Sequence, residues 1–361
     1  MELEVRATDG SFVIDSRGKK YIDFVAGWCV GNFGWGNRQI EQAVRRPKTP
    51  DYVYPQYAYR RWDELEDLLA EITPGKLRKT FRATGGSEAV DIALQIARAY
   101  TGRRRFLSIE DAYHGNTIGT VELGERIAPP LDAKAAGRVE THLKRRNVAA
   151  FIMEPVICNL GILVPEADFM RRLSELCKKY GTLLIMDEVA CGFARTGRIF
   201  ASEYFDIEPD ILCMAKAITG GYAPMGATIT TDRIAKKVEG EVEFWSTYGW
   251  HPLAVEAAIA NIRWMIKNKR ALLEHVNAMG EYFRDRLARM EFKKQAKLNI
   301  KGLAIGIDVH DPDYADKLQE KCQREGLLIE TQDEVLTLFP SLNIEEKIAK
   351  KGLDILERCA A

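Results

Sequence analysis

Leu183-Leu184-Ile185-Met186-Asp187-Glu188-Val189 is an apolar run of strand length that stops on two carboxylates. Such a run suits a strand buried on both faces of a sheet, and Thr182 to Met186 is predicted as one. Just before it, Phe169 to Tyr180 has the period of a helix, and Gly181 ends it. The same alternation extends outward. Lys79 to Ala83, Arg105 to Ile109, Ala149 to Met153, Ile211 to Met214 and Met225 to Thr230 are predicted strands. Ser87 to Tyr100 is a predicted helix, with Ala89, Ile92, Ala93, Ile96 and Ala97 on one face, and Gly137 to Arg146 is a polar one. Strands separated by helices predict an α/β domain with a mostly parallel sheet. Ligands of such sheets sit beyond the carboxyl ends of the strands. The places to inspect therefore follow 83, 109, 153, 186 and 214.

Each strand end carries something unusual. Ala83-Thr84-Gly85-Gly86-Ser87-Glu88-Ala89 opens a helix, where glycines allow close backbone approach, Ser87 can cap, and free N–H groups face an anion. Asp111-Ala112-Tyr113-His114-Gly115-Asn116 offers an aromatic ring, and Glu154-Pro155 a carboxylate. Asp187, at the end of an apolar strand, needs a cation or a set of hydrogen bonds. Ala215-Lys216-Ala217-Ile218-Thr219-Gly220-Gly221 carries a lysine among small apolar residues, where burial favours the neutral amine that attacks carbonyls. Each feature alone has a plainer reading: a capped helix, a locally packed tyrosine, a structural aspartate, a lysine reaching solvent. Together they are the parts that pyridoxal phosphate requires. The lysine joins the aldehyde, the carboxylate pairs with the pyridine nitrogen, the aromatic covers one face of the ring, and Val189 can fill the other. The glycine turn follows neither the P-loop pattern nor GxGxxG, which disfavours a nicotinamide dehydrogenase.

The chain resembles the class-III pyridoxal-phosphate-dependent aminotransferases, the omega-aminotransferases of fold type I. The likeness is carried by Leu184 to Val189, Gly192-Phe193-Ala194-Arg195-Thr196-Gly197 and, 29 residues beyond Asp187, Lys216-Ala217-Ile218-Thr219-Gly220-Gly221. Gly85 to Ala89, Tyr113-His114-Gly115, Glu154-Pro155 and Ser246-Thr247-Tyr248-Gly249 match in order. The resemblance implies Lys216 as the Schiff-base lysine and Asp187 as the pyridinium partner. It implies Gly86 and Ser87 as the phosphate turn, Tyr113 as the stacking ring, Val189 as the opposite face and Glu154 as a positioning acid. Thr247 would reach the phosphate of a neighbouring subunit, implying a homodimer with active sites at its interface. Trp28 and Cys29 resemble the segment that lines the substrate pocket, and Arg195 a structural residue of the motif.

The implied reaction moves an amino group from a primary amine or omega-amino acid to a keto acid such as pyruvate, in ping-pong order through Lys216. Three departures bear on the substrate. Ala190 stands where many members carry Gln. Asn159 stands where ornithine-type members carry a gating Glu. Val335 to Pro340 lacks the arginine that holds a substrate carboxylate in those members. These argue against an ornithine or acetylornithine enzyme. Asn159-Leu160-Gly161 has some likeness to glutamate-semialdehyde aminomutases, so an aminomutase is the alternative. A catalytically silent cofactor-binding protein is the other, opposed by the intact Lys216 and Asp187. The chain is shorter than usual for the family, which predicts a reduced wall around the substrate pocket.

Composition sets the remaining bounds. With 361 residues, the chain suits roughly two domains. We assign 41–250 to a large cofactor-binding α/β domain, and 1–40 with 251–361 to a small α+β domain. The small domain would contain a hairpin (Ser11 to Ile14, Lys20 to Phe24) and helices Pro252 to Lys269, Leu272 to Met290 and Tyr314 to Arg324. It would add strands near 300–309 and 335–338. Lys+Arg and Asp+Glu both number 52, which gives no support for a nucleic-acid or anionic-membrane partner. No stretch reaches the roughly 18 apolar residues of a membrane span. Met1-Glu2-Leu3-Glu4 has no basic segment ahead of an apolar core, so no signal peptide is expected. Seven cysteines without a CxxC read as free thiols in a reducing cytoplasm, and five histidines without ligand spacing predict no metal site.

Overall fold

The computed structural model describes residues 3–45, 49–242 and 244–360. Its strands, in chain order, are β1 (Val5–Asp9), β2 (Phe12–Asp15), β3 (Lys20–Asp23), β4 (Leu77–Ala83), β5 (Arg105–Ile109), β6 (Glu125–Ile127), β7 (Val148–Met153) and β8 (Leu183–Asp187). Then follow β9 (Ile211–Met214), β10 (Gly226–Thr231), β11 (Lys297–Lys301), β12 (Ala304–Asp308), β13 (Leu327–Leu328), β14 (Glu330–Gln332) and β15 (Val335–Leu338).

Seven of them form one sheet in the order β4-β10-β9-β8-β7-β5-β6. The pairs from β9 through β6 are parallel, and β10 runs antiparallel to both β4 and β9. Every residue of β7, β8 and β9 is buried, as the continuous apolar runs require of strands covered on both faces. The covering helices include Gly86–Thr101 and Ala167–Tyr180, each stopped by a left-handed glycine, Gly102 and Gly181.

Two four-stranded sheets, β1-β2-β3-β13 and β11-β12-β15-β14, complete the fold. The first answers what the N-terminal hairpin packs on, since β3 pairs in parallel with β13 near the other end of the chain. Among the described residues no helix is long and apolar enough to cross a membrane. All seven cysteines are free and buried.

Two helices differ from the sequence reading. Pro252–Leu287 is one continuous helix of 36 residues, where two were expected. The polar run Lys267 to Arg270 suggested a break, but a polar run without Gly or Pro exposes a helix and does not stop it. The helix expected over 137–146 is Ala133–Leu143. It starts earlier because Asp132 caps it, accepting a hydrogen bond from Ala135 N at 2.9 Å.

Candidate active site

The carboxyl ends of β4, β5, β7, β8 and β9 converge on one cavity of about 750 Å³, within the range of small-molecule sites. Gly86, Ser87, Tyr113, Glu154, Asp187, Val189 and Lys216 all line it, as does Trp28. Residues that the sequence scatters over nearly 190 positions thus share one space.

The anion-binding corner is built by close backbone approach. The helix Gly86–Thr101 has Gly85 as its N-cap, with no side chain satisfying its first N–H groups. Ser87 lies inside the helix, so the expectation that it caps is corrected. Its hydroxyl accepts a hydrogen bond from Asn116 N at 3.2 Å. A methyl at Gly86 would stand 3.0 Å from Val189 Cγ1, and one at Gly226 only 2.3 Å from Gly85 O. These glycines let β8, β10 and the turn close around an uncapped helix N-terminus, which favours a bound anion.

Asp187 is held by two donors. Val189 N donates to Oδ1 at 3.1 Å, and Oδ2 lies 2.7 Å from His114 Nδ1. The His114 side chain is fully buried, and its Nε2 has no hydrogen-bond partner among the described residues. With Nδ1 carrying the proton, His114 fixes the carboxylate's orientation. Sequence reasoning gave His114 no role, although its place between Tyr113 and Gly115 at a strand end was the available signal. Glu188, the other acid of the pair, turns away from the cavity. It accepts from Ala201 N at 2.9 Å and Ser202 N at 2.7 Å, and burial pushes its carboxyl up to about 7.

Lys216 follows β9 with its backbone at φ 44°. A non-glycine residue in the left-handed region costs about 1–2 kcal/mol, and such strain concentrates at functional positions. Its Nζ lies 5.2 Å from the centre of the Trp28 ring, within cation–π range. Glu154 is buried nearby. Burial, aided by the negative charge of Asp187 and opposed by Lys216, pushes its carboxyl well above the usual carboxylate range.

One expected residue sits elsewhere. Cys29, expected to line the substrate pocket, does not. It is wholly buried behind Trp28 in a cluster with Val156, Cys158, Ile162 and Cys191, because Trp28 and Cys29 both take positive φ and the tight turn sends their side chains apart. Thr247 is exposed and lies outside this cavity. Arg195 is fully buried and spent on structure, donating to Leu303 O, Pro340 O and Asn32 Oδ1. Asn159, a departure in the sequence, ties two loops together. Its Nδ2 donates to Asp111 O at 2.7 Å, and its Oδ1 accepts from Tyr113 N at 3.2 Å.

The sequence profile described as aminotransferase class-III matches residues 1–129 and 131–360. The chain belongs to the class-III aminotransferases. It is 34% identical to the acetylornithine aminotransferase of Methanosarcina mazei, over 97% of this chain and 89% of that one. The solved adenosylmethionine-8-amino-7-oxononanoate aminotransferase of Methanocaldococcus jannaschii superposes with a TM-score of 0.93 at 26% identity, covering 100% of this chain and 93% of that one. The taurine:2-oxoglutarate aminotransferase of Bifidobacterium kashiwanohense, solved with PLP and glutamate, gives 0.91 at 25%, covering 99% and 92%. The fold is therefore that of the pyridoxal-phosphate-dependent transferases, and the enzyme is a transaminase.

Its cofactor is pyridoxal 5′-phosphate, and the cavity fits it. The uncapped helix N-terminus suits a phosphate, the oriented Asp187 carboxylate a protonated ring nitrogen, and Lys216 an aldehyde. Among the described residues no group of three or more His, Cys, Asp or Glu could hold a metal ion.

Proposed function

We propose that this aminotransferase moves an amino group from a primary amine or omega-amino acid to a keto acid such as pyruvate, as a cytoplasmic homodimer. The observation that carries the reading is the shared cavity, which the Lys216 amine and the Asp187 carboxylate line together with a helix N-terminus that has no side-chain cap. Bound pyridoxal phosphate supplies an aldehyde that takes up amines and a ring that absorbs the charge left by proton removal. The Gly86 and Ser87 N–H groups would hold its phosphate, Val189 and Tyr113 would cover the two sides of its ring, and Asp187, oriented by His114, would balance a protonated ring nitrogen. Lys216 would hold the aldehyde, and its Nζ, once free, is the base that would move the donor's proton. Glu154, whose burial favours the protonated form, would help to position the ring. Residues 41–250 form the cofactor-binding domain in this reading, with 1–40 and 251–361 as the smaller one.

The relatives named for acetylornithine leave the donor open. The departures at Asn159 and over Val335 to Pro340 favour donors without an α-carboxylate. The test is the purified protein with pyridoxal phosphate, a panel of amines, and pyruvate or 2-oxoglutarate. Alanine or glutamate formed from primary amines is expected, in ping-pong kinetics. An amino group returned to its own molecule, with no separate acceptor used, would instead identify an aminomutase.

The dimer is supported by an exposed aromatic face around Thr247. Tyr54, Tyr57, Trp245 and Tyr248 are all largely exposed, Tyr57 at 67% and Tyr248 at 65%. Tyr52 meets Tyr248 at 6.2 Å, and Tyr54 meets Trp245 at 6.4 Å. A contiguous aromatic surface of this kind marks an interface, and a second copy would bring its Thr247 to this phosphate. Sedimentation of the purified enzyme is expected to give twice the monomer mass. A monomer with full activity would remove Thr247 from the cofactor-binding set.

A further inference from the structure

An enzyme that works by ping-pong admits two chemically unlike substrates to one cavity in turn. The amine donor offers hydrogen-bond donors, and the keto acid offers a carboxylate. Among the described residues the lining of this cavity includes one lysine or arginine, Lys216, and that amine is reserved for proton transfer at the reacting carbon. Its two acids, Glu154 and Asp187, are assigned to the cofactor in the aminotransferase reading. The site therefore handles the keto-acid carboxylate with uncharged groups of this chain.

Two amide side chains line the cavity, Asn159 and Gln332. Asn159 has both ends committed, to Asp111 O and Tyr113 N. Gln332 ends β14, where the β14–β15 hairpin turns through Asp333 at φ 50°. That hairpin is seated firmly, for a methyl at Gly161 would lie 3.2 Å from Val335 Cγ2. The Gln332 Oε1 is shut away from solvent with no hydrogen-bond partner among the described residues. A buried carbonyl oxygen without a partner costs roughly 1–3 kcal/mol, and an amide released from such a position relieves it by turning. The last torsion of glutamine is broad and nearly two-fold, so the amide presents either N–H or C=O at small cost.

We propose that Gln332 is the substrate-reading residue of this aminotransferase, presenting its N–H to the carboxylate of the keto acid and its C=O to a hydrogen-bond donor on the amine. This rests on the aminotransferase reading and adds to it the group that distinguishes the two substrates. An amide does for both what a fixed arginine does only for a carboxylate.

The two half-reactions separate the claims. Each is followed by the visible absorbance of the bound cofactor, amine first, then pyruvate added to the aminated enzyme. Gln332→Glu retains the size and the acceptor but loses the donor and adds negative charge. It is expected to raise the apparent Kd for pyruvate about 10- to 100-fold, the worth of a hydrogen bond to a charged group. The same variant is expected to leave a hydroxylated or amino-bearing amine donor within a few-fold. Gln332→Leu is expected to weaken both polar substrates while sparing an amine with a purely alkyl chain. Gln332→Arg is expected to tighten pyruvate and weaken the polar amine donor. Equal effects of Glu and Leu on the two half-reactions, or no effect on either, would overturn the assignment. Wild-type enzyme that binds cofactor but performs neither half-reaction would overturn the aminotransferase reading itself, a different result.

Discussion

Lys216→Ala is expected to abolish turnover, lowering kcat by at least about 10⁴-fold, the upper range for loss of one acid–base group, with the nucleophile lost as well. The protein should nonetheless fold. Lys216 makes no ion pair or hydrogen bond among the described residues, and its contact with Trp28 is a cation–π approach at 5.2 Å. Losing that contact costs about 0.5–2 kcal/mol. Lys216→Arg is the informative companion. It preserves charge and length, but a guanidinium does not give up its proton near neutral pH. If the amine acts as nucleophile and proton carrier, Arg fails as completely as Ala. If it serves only as a cation for phosphate or substrate, Arg restores much of the rate. A small soluble amine added to the Ala variant should recover part of the proton transfer, because the cavity left by the side chain is open to the site. The measurement is kcat for alanine formation together with the visible spectrum. Turnover of either variant within tenfold of the parent would remove Lys216 from its role.

How far the site could be read in advance follows from which physical signal each residue leaves. Lys216 and Asp187 were legible because a charged residue at the end of a wholly apolar strand is expensive unless it has work to do. The glycines at 85 and 86 were legible as a turn, though not as the contact with Val189 and β10 that makes them necessary. The parallel sheet was legible from β7, β8 and β9, whose runs are apolar on both faces. Residues that meet only in space left no such mark. His114 reaches Asp187 across 73 positions, and nothing local announces the pairing. Gln332 sits in a short, half-buried strand of a hairpin whose polar residues look like surface. The resemblance places Cys29 beside Trp28 at the pocket, but adjacent residues need not share an environment. At positive φ the chain turns so tightly that Trp28 faces the cavity and Cys29 the core. The single long helix was divided for a related reason, since solvent exposure was taken for termination.

Asp187→Asn is expected to slow proton removal from the donor by about 10³-fold, in the range seen when one preorganised electrostatic partner of a developing charge is lost. The structure makes this substitution unusually clean. An amide in place of the carboxylate sets an NH₂ against one of two donors, Val189 N or His114 Nδ1. Facing Val189 N it would strand a backbone N–H. Facing His114 it needs only that the ring move its proton from Nδ1 to Nε2, so that Nδ1 accepts instead. The Nε2 atom has no partner among the described residues to lose, so the exchange of tautomers breaks none of their hydrogen bonds. The variant should therefore fold, bind the cofactor and retain its visible absorbance. The chemical effect is of another size. An amide cannot balance a positive ring nitrogen, and its own NH₂, turned toward that nitrogen, would favour the unprotonated ring that accepts electrons poorly. Single-turnover absorbance changes with an amine donor measure the step directly. Melting temperature and cofactor affinity, read on the same samples, separate it from damage to the fold. His114→Phe makes the complementary case. It leaves the carboxylate charge but removes the group that aims it, and it should cost stability, because a buried carboxylate oxygen is left without its donor, about 1–3 kcal/mol. A rate for Asp187→Asn within tenfold of the parent would show that the ring nitrogen needs no charge there, and the assignment of Asp187 would fall.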